Sequence, residues 1–293
     1  MADAIRQRLK LWLTSEKAMG LSGEPVVLAR SEAPVQTPPA PAAARPAPAR
    51  PAPARPAPAR PLPAVAARPA AAIAPAIEAS LAFADYGPFT APILPIGEKL
   101  RVLNELNTGH VVGCTRCRLH EQRTNTVFGE GDPEAKLMFI GEGPGADEDA
   151  QGRPFVGRAG QKLNDMIAAM GLKREQVYIG NVVKCRPPEN RAPVDDEMDT
   201  CFPYLLRQIE VVRPQVIVLL GLTATKAVLK KKLTMSRMRG QWHDFRGIKV
   251  MPTWHPSYIL RIYTAEVRGQ VWHDLQMVMT ELGLKAPARR GAE

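Results

Sequence analysis

Residues 215–221 read QVIVLLG, with five consecutive apolar residues between a glutamine and a glycine. A run this short, without polar alternation, predicts a strand that is buried on both faces. Three other short runs, Lys136–Gly141 (KLMFIG), Val177–Val183 and Ile248–Trp254, predict further strands. Strands of this kind are typical of a parallel sheet that is covered by helices.

Segments with helical periodicity alternate with these strands. They are Glu98–Asn107, Gly160–Met170, Pro193–Val212, Leu222–Leu229 and Ala265–Leu282. The alternation predicts an α/β fold, a three-layer α/β/α sandwich around a central, mostly parallel four-stranded sheet. In open sheets of this class, ligands bind beyond the carboxyl ends of the strands.

The N-terminal third has a different composition. Residues 31–96 are rich in Pro, Ala and Arg, and Arg45–Pro61 repeats a five-residue unit, RPAPARPAPARPAPARP. Regularly spaced Pro blocks helix and sheet hydrogen bonding, so this arm is predicted to be a disordered, polyproline II-like linker. Residues 1–30 are predicted to form a short helical segment that lies on a surface or docks a partner. Residues 97–285 are predicted to be the folded domain, and 286–293 a disordered tail.

The chain carries a net charge of +10, most of it within the predicted domain. An excess of positive charge favours a polyanionic partner such as nucleic acid, although basic proteins without such a partner are common. No secretory signal and no run of about 20 apolar residues is visible, so the sequence predicts neither export nor a membrane span. We therefore expect a reducing, cytoplasmic compartment.

The chain has four cysteines, Cys114, Cys117, Cys185 and Cys201. The first two form a CxxC motif, which by itself fits half of a zinc site, a redox dithiol or half of an iron–sulfur cluster. One close pair and two dispersed cysteines favour a four-cysteine [4Fe–4S] cluster, although the spacing matches neither ferredoxin pattern. Zinc and unrelated thiols stay open on spacing alone.

A glycine-rich loop, GEGPGADEDAQGRPFVGRAG, spans Gly141–Gly160. Its glycines allow the backbone to approach a ligand closely, but it is neither a dinucleotide-binding fingerprint nor a Walker A loop. Phe155 has little local core to join and is a candidate for stacking on a flat ligand. A tight surface turn is the alternative.

Two further loops follow predicted strands. Asn181, in GNVVKCRPPENR (Gly180–Arg191), has an amide that can both donate to and accept from one ligand edge. His255, in TWHPSYILR (Thr253–Arg261), stands where the chain leaves the sheet, a place where functional side chains are presented. A capping role for the Asn and a structural role for the His are the alternatives.

Five motifs in this order, CTRC, GEGPGADED, GRPFVGRAGQ, GNVVKCRPPENR and HPSYILR, resemble those of a family 4 uracil-DNA glycosylase. These are the iron–sulfur-containing members of the uracil-DNA glycosylase superfamily, and the resemblance covers roughly residues 99–283. It implies a monofunctional DNA glycosylase that flips uracil out of DNA and hydrolyses its N-glycosidic bond. Free uracil leaves and an abasic site remains, as in base excision repair.

The resemblance also implies roles for individual residues. The uracil-binding set is Gly141, Glu142, Gly143, Phe155, Asn181 and His255. Phe155 would stack on the base and Asn181 would read its Watson–Crick edge, while His255 would donate to O2. Gly143 occupies the position of the catalytic Asp of other families, so Glu148, and after it Asp149, is the candidate for positioning the water.

The segment after the histidine is expected to contact DNA through Ser257, Tyr258, Ile259 and Arg261, with Tyr258 or Ile259 as a wedge. The run Lys230–Lys232 would hold phosphates or be a solvated helix end. The four cysteines would hold a structural [4Fe–4S] cluster. The loop PPENRAPVDDEM carries no histidine insert of the kind that crosslinks one relative to DNA, so turnover is expected.

The expected partner is uracil-containing DNA, single- or double-stranded, with a protein partner for the N-terminal arm. We expect a monomer in a bacterial cytoplasm, associated with the nucleoid. The alternatives are a non-catalytic or differently specific protein that binds DNA with deaminated bases, and an electron-transfer protein. The sequence leaves open which other deaminated bases are processed, which strand form is preferred and what the arm binds.

Overall fold

The computed structural model describes residues 87–231 and 234–285 of the 293. The predictions for the N-terminal helical segment, for the Pro/Ala repeat, for Lys232 and for the tail after residue 285 lie outside these residues.

The described residues contain one mixed sheet with the strand order β1-β3-β2-β4-β6-β5. Its strands are β1 Glu130–Gly131, β2 Leu137–Gly141, β3 Tyr178–Asn181, β4 Val216–Leu220, β5 His243–Phe245 and β6 Ile248–Thr253. The four central strands run parallel, and the edge strands β1 and β5 pair antiparallel to their neighbours. The four predicted strands are present and parallel, and two short edge strands that were not predicted extend the sheet from four strands to six.

Helices connect the parallel strands and cover both faces of the sheet. They are α1 Ile96–Leu106, α2 Ala146–Gln151, α3 Arg158–Ala169, α4 Asp195–Val212, α5 Gly221–Leu229, α6 Met235–Met238, α7 Pro256–Arg261 and α8 Ala265–Glu281. Short 3₁₀ turns lie at Arg118–His120, Arg174–Gln176 and Pro188–Asn190, and a π turn at Asn107–Val111 extends α1. Each of the five predicted helices is present, and none of its ends is displaced by more than two residues.

The core consists of two apolar layers, one on each face of the sheet. Met138 and Ile140 of β2 face a layer that includes α1, α4 and α5, whereas Leu137 and Phe139 face α3, α7 and α8. Alternate residues of one strand are thus buried on opposite faces, as in a sheet covered on both sides. This confirms the three-layer sandwich.

The folded part begins before the predicted boundary at residue 97. Phe89 lies between two guanidinium groups, 4.7 Å from that of Arg213 and 4.0 Å from that of Arg246. Its backbone donates to the Arg246 carbonyl and accepts from the Arg213 side chain. Since Arg246 lies in the turn before β6, the arm joins the domain at the end opposite the carboxyl ends of the parallel strands.

No helix among the residues that the structure describes is long and apolar enough to cross a membrane.

Candidate active site

The carboxyl ends of the parallel strands bring the three predicted loops together. Gly141 at the end of β2 is in register with Asn181 at the end of β3. On the far side of β4, strand β6 ends at Thr253, two residues before His255. The site therefore occupies the place where ligands bind in open α/β sheets.

Phe155 closes one side of this site in an unusual backbone conformation. Its φ angle is +51°, in the left-handed region that a bulky residue rarely adopts, and its side chain is 5% exposed. Gly160 makes the conformation feasible, because a Cβ at that position would overlap the Phe155 carbonyl. The Phe155 ring lies 5.8 Å from the His255 ring, centroid to centroid, with the planes inclined at 34°.

Gly141 has space for no side chain. A Cβ there would overlap the Phe155 ring and would lie 2.5 Å from Asn181 Oδ1. Phe155 and Asn181 therefore approach the same point of the β2 backbone, as the prediction of a shared pocket requires.

Asn181 is 1% exposed, and its Oδ1 has no hydrogen-bond partner within the described residues. Leaving a buried carbonyl unsatisfied costs about 1–3 kcal/mol, so such groups are rare away from functional sites. An acceptor held beside an aromatic ring suits the N–H of a flat, polar ligand.

His255 caps the N-terminus of α7 through its own ring. Its Nδ1 accepts a hydrogen bond from the Ser257 backbone N–H at 3.1 Å, and the Ser257 hydroxyl lies 2.7 Å from the same atom. An Nδ1 that accepts carries no proton, so in the neutral ring the proton is on Nε2. Nε2–H is therefore available as a donor.

The environment keeps this ring neutral. Burial, with the charge of Arg261 as a second cause, lowers the pKa of His255 to about 4, and the carboxylate of Glu148 opposes the shift. At neutral pH, His255 is a neutral donor and is not an imidazolium.

Both candidate carboxylates for positioning water are bound to the backbone. Glu148 Oε1 accepts from the N–H groups of Val156 and Gly157, both at 2.9 Å, and Oε2 accepts from that of Gly145 at 3.1 Å. Asp149 is 3% exposed and accepts from the N–H of Thr124 at 2.9 Å. These bonds fix the glycine-rich loop, and a contact of either carboxylate with water stays a prediction.

Glu142 and Gly143 continue the loop beyond β2. Glu142 is half-buried, and its carbonyl accepts from the Val183 N–H at 3.2 Å. A Cβ at Gly143 would lie 2.7 Å from Val183 Cγ2, so this position also requires a residue without a side chain. The loops after β2 and β3 thus pack directly on each other.

Ile259 is placed differently from its prediction. It is 1% exposed and packs in the apolar layer under α8, so it cannot enter DNA from this position. Tyr258, the other predicted wedge, is half-buried and stacks on Trp254, with ring centroids 4.5 Å apart. Arg261 is exposed, as a phosphate contact requires.

The exposed apolar residues of this segment come after Ile259. They are Leu260, 36% exposed, Ile262, 41% exposed, and Tyr263, 52% exposed. These side chains were not predicted to contact DNA, because a six-residue helix is too short for the sequence to show which of its faces is buried.

Two of the three lysines at the end of α5 are described. Lys230 makes an ion pair with Asp199 at 2.8 Å, and Lys231 Nζ lies 3.4 Å from His243 Nδ1. These partners favour the solvated helix end over the phosphate contact.

The four cysteines line a single cavity between the segment after α1, the loop after β3 and α4. None of them is in a disulfide. Donors surround the sulfurs: Arg123 donates to Cys185 Sγ at 3.0 Å, and the backbone N–H of Lys184 donates to Cys201 Sγ at 3.3 Å. The Tyr204 hydroxyl lies 3.4 Å from Cys114 Sγ.

This donor set fits an iron–sulfur cluster. Hydrogen bonds to cysteine sulfur are a usual feature of such sites. Burial raises the pKa of Cys117, a member of the CxxC pair, whereas an activated redox dithiol has a lowered pKa. Among the described residues, no group of three or more His, Cys, Asp or Glu side chains is placed to hold a single metal ion. A [4Fe–4S] cluster does not require such a group, because each of its four thiolate ligands binds a different iron.

Two charged residues near the pocket were missed from the sequence. Lys184 is 1% exposed, and its ammonium donates to the Asn181 carbonyl at 2.9 Å. Arg174 donates to the carbonyl of Pro154, directly before Phe155, and pairs with Glu130 at 2.7 Å. Only Lys184 carried a signal, since it is next to a predicted cluster cysteine.

Comparison with known proteins identifies a family and several relatives. The family model of the uracil DNA glycosylase superfamily matches residues 128–276. The type-4 uracil-DNA glycosylase of Thermotoga maritima is 48% identical over 176 residues, which are 59% of this chain and 92% of that protein. The type-4 enzyme of Archaeoglobus fulgidus is 40% identical over 185 residues, 60% of this chain and 92% of that protein.

A more distant similarity extends to the type-5 uracil-DNA glycosylase of Pyrobaculum aerophilum, which is 34% identical over 144 residues, 43% of this chain and 63% of that protein. The type-4 proteins are matched with higher identity and over more of their length than the type-5 protein. The chain therefore belongs to the uracil-DNA glycosylase superfamily, and within it to the type-4 uracil-DNA glycosylases.

Proposed function

We propose that this chain, a monofunctional DNA glycosylase by family, binds a flipped uracil between Phe155, Asn181 and His255 and hydrolyses its N-glycosidic bond. Free uracil is released and an abasic site is left for base excision repair. The observation that carries the proposal is the unpaired, buried Asn181 Oδ1, which lies beside an aromatic ring and faces the end of the sheet where the neutral His255 is held.

Base selection follows from the Asn181 amide. Its Oδ1 accepts from N3–H of uracil, and its Nδ2 donates to O4. Cytosine presents an acceptor at N3 and a donor at N4, so the same amide would leave both pairs unmatched. Sites that hydrogen-bond the correct ligand in this way reject a mismatched one strongly, because buried polar groups are left without partners.

Bond cleavage depends on uracil leaving as an anion. His255 donates from Nε2 to O2, where negative charge builds up, and backbone N–H groups of the Gly141–Gly145 turn assist. Each well-placed donor of this kind contributes about 3–4 kcal/mol to the transition state. A neutral His255 suits this role because Ser257 fixes the tautomer with its proton on Nε2.

Water then attacks the sugar, which has oxocarbenium character. Gly143 offers no carboxylate, and Glu148 and Asp149 hold backbone N–H groups. We assign both carboxylates to shaping the loop, so that leaving-group stabilisation supplies most of the rate enhancement. Glu148 as a water-positioning residue is the alternative, and a variant test decides between them below.

The base is reached by flipping, which costs a few kcal/mol. We place the wedge at Leu260, Ile262 or Tyr263, which are exposed directly after the buried Ile259. Arg261 contacts the phosphates, with Ser257 and Tyr258 at the edge of the same surface.

The four cysteines hold a structural [4Fe–4S] cluster in this proposal. Through a bound cluster, Cys114 and Cys117 would be linked to Cys185 in the loop after β3 and to Cys201 in α4, and none of the four would take part in breaking the bond. Support comes from the shared cavity, the donors around the sulfurs and the type-4 relatives.

The N-terminal arm, the monomeric state and the association with the nucleoid stay predictions. Light scattering of the full chain measures its oligomeric state. Deletion of residues 1–86 checks whether the arm contributes to DNA affinity or only to binding a protein partner.

The test of function is release of free uracil from a uracil-containing oligonucleotide, single- and double-stranded. We expect His255→Ala to lower kcat at least 100-fold, because one transition-state donor is lost. His273→Ala, on the exposed face of α8, is the matched control and keeps the parent rate. Tight binding without any release by the parent would favour a non-catalytic DNA-binding protein.

A further inference from the structure

Lys184 is a buried ammonium group without a carboxylate partner in the described part of the chain. It is 1% exposed and takes part in none of the ion pairs described there. Its Nζ donates to the Asn181 carbonyl at 2.9 Å and to Gln208 Oε1 at 2.5 Å, both of which are neutral acceptors. Nζ also lies 5.9 Å from the centre of the Phe128 ring, which is uncharged as well. A buried charge with only neutral partners is costly, so a source of negative charge is expected nearby.

The cysteines would supply that charge as thiolate ligands of a cluster. The backbone N–H of Lys184 donates to Cys201 Sγ at 3.3 Å, and Cys185 is the next residue in the chain. Lys184 also lines the cavity that all four cysteines share. A [4Fe–4S] cluster with four thiolate ligands carries a net negative charge, which would balance the ammonium group.

The other end of Lys184 is held against the predicted base-reading residue. Gln208, its second acceptor, is itself fixed, because its Nε2 donates to the Phe128 carbonyl at 2.9 Å and to the Tyr178 hydroxyl at 3.1 Å. The position of the ammonium group is therefore set on two sides. Its other acceptor, the Asn181 carbonyl, belongs to the residue whose Oδ1 faces the pocket.

We propose that Lys184 is a positioning residue that connects the cysteine cluster to the uracil pocket, by balancing the charge of the cluster and holding the Asn181 backbone. This inference rests on the proposed function for its second half, because Asn181 matters only if it reads the base. Its first half concerns only iron and cysteine. The cluster would then act on catalysis through the placement of one amide, without touching the substrate.

The test compares Lys184→Met with Lys99→Met. Lys99 is a matched control: it is also a buried lysine, 4% exposed, and it donates to two backbone carbonyls, of Pro133 and Val212, away from the cysteines. Iron per chain, visible absorption, kcat, KM and the ratio of uracil to cytosine release are measured for both. Melting temperature is measured as well, since both substitutions remove a buried hydrogen-bonding group.

We expect Lys184→Met to lose at least half of the iron that the parent binds, and the iron-containing fraction to show a shifted absorption band. We expect kcat/KM for uracil to fall more than tenfold and the uracil-to-cytosine ratio to fall with it. Lys99→Met should keep the parent's iron, spectrum and ratio despite a similar loss of melting temperature. Lys184→Arg, which keeps the charge, should keep the iron and recover only part of the activity, because a planar guanidinium group does not fit the two fixed acceptors, the Asn181 carbonyl and Gln208 Oε1.

Parent-like iron, spectrum and kcat/KM in Lys184→Met would overturn the inference. Equal losses of iron and ratio in Lys99→Met would also overturn it, because the effect would then be one of general stability. If Lys184→Met is recovered only as aggregate, Lys184→Arg becomes the test. Parent-like activity in Lys184→Arg together with loss of its iron would then overturn the inference. A parent that binds iron but releases no uracil would instead refute the proposed function, and the iron comparison would still decide the first half.

Discussion

The ring of Phe155 lies 5.8 Å from the imidazole of His255, although the two residues belong to loops that follow different strands. Both loops leave the carboxyl end of one parallel sheet, which is why residues so distant in the chain meet. The two rings are the walls of a site whose floor is Gly141 and whose polar side is Asn181. Each prediction below removes or alters one of these parts.

Phe155→Ala removes the proposed stacking surface. Stacking on an aromatic side chain is worth about 1–3 kcal/mol per base, so kcat/KM for uracil should fall about 10- to 100-fold. Steady-state kinetics on a single-stranded substrate measure this without the cost of opening a duplex. Phe89→Ala, at the opposite end of the domain, is the control and should leave kcat/KM unchanged. An unchanged kcat/KM in Phe155→Ala would exclude stacking by this ring.

Gly141→Ala fills the site without changing its charge. The added methyl group would overlap the Phe155 ring and approach Asn181 Oδ1, so we expect excision to fall at least 100-fold and uracil to inhibit more weakly. Gly97→Ala, in α1 with no atom within 4 Å of the added Cβ, is the control and should raise the melting temperature slightly. Parent-like excision by Gly141→Ala would show that uracil binds elsewhere.

Arg174 supports the strained segment that carries Phe155. It donates to the Pro154 carbonyl and pairs with Glu130 while only 17% exposed. Arg174→Met should raise KM for uracil-DNA about tenfold with a smaller change in kcat, because the stacking ring loses its fixed position. Arg101→Met is the control, since Arg101 also forms ion pairs, with Glu98 and Glu105, but does so on the exposed face of α1. Equal effects of the two substitutions would contradict a positioning role.

Protonation of His255 should occur far below neutral pH. Burial lowers the pKa of its imidazole to about 4, so an NMR titration should show no protonation of this ring above about pH 5. The signal is assigned by its absence in His255→Ala. A titration midpoint near the ordinary value of 6.5 would contradict the neutral-donor mechanism.

The same shift makes the folded state sensitive to acid. Between pH 6.5 and about 4, the unfolded chain binds a proton at His255 that the folded chain does not, so the free energy of unfolding falls as the pH falls through this window. The loss is about 2–3 kcal/mol for a ring that is mostly buried. Denaturant unfolding at pH 7 and at pH 4.5 should therefore show a larger loss for the parent than for His255→Ala.

Glu148→Gln separates loop bracing from water positioning. A glutamine keeps one acceptor for the Val156 and Gly157 N–H groups but places an NH₂ group near the Gly145 N–H. If the carboxylate braces the loop, KM should rise and the melting temperature should fall with little change in kcat. A fall of kcat by more than 100-fold at parent KM would instead assign Glu148 to the water.

The sequence predicted those features that depend on apolar periodicity or on short motifs. The four parallel strands, the helices between them and the meeting of Phe155, Asn181 and His255 are of this kind. The edge strands β1 and β5 escaped prediction because they are two and three residues long and only partly buried. The packing of Phe89 on Arg213 and Arg246 was not predicted, because a cation–aromatic contact between residues distant in the chain leaves no pattern in the local sequence.

Side-chain direction was the other source of error. Ile259 was predicted to enter DNA because it follows the histidine motif. In α7, however, the Ile259 side chain is buried in the core and the Leu260 side chain is exposed. For Glu148 the contact with water stays a prediction, but the sequence did not show that its oxygens accept from three backbone N–H groups. Neither arrangement follows from residue type, since both depend on where neighbouring backbone groups point.

The most direct measurement is the rate of base release by the parent and by Asn181→Ala from matched oligonucleotides that carry a single uracil or a single cytosine. We predict that the parent releases uracil and no detectable cytosine, and that Asn181→Ala lowers uracil release at least 100-fold. Absence of uracil release by the parent from both single- and double-stranded substrate, or a parent-like rate in Asn181→Ala, would contradict the assignment of this pocket.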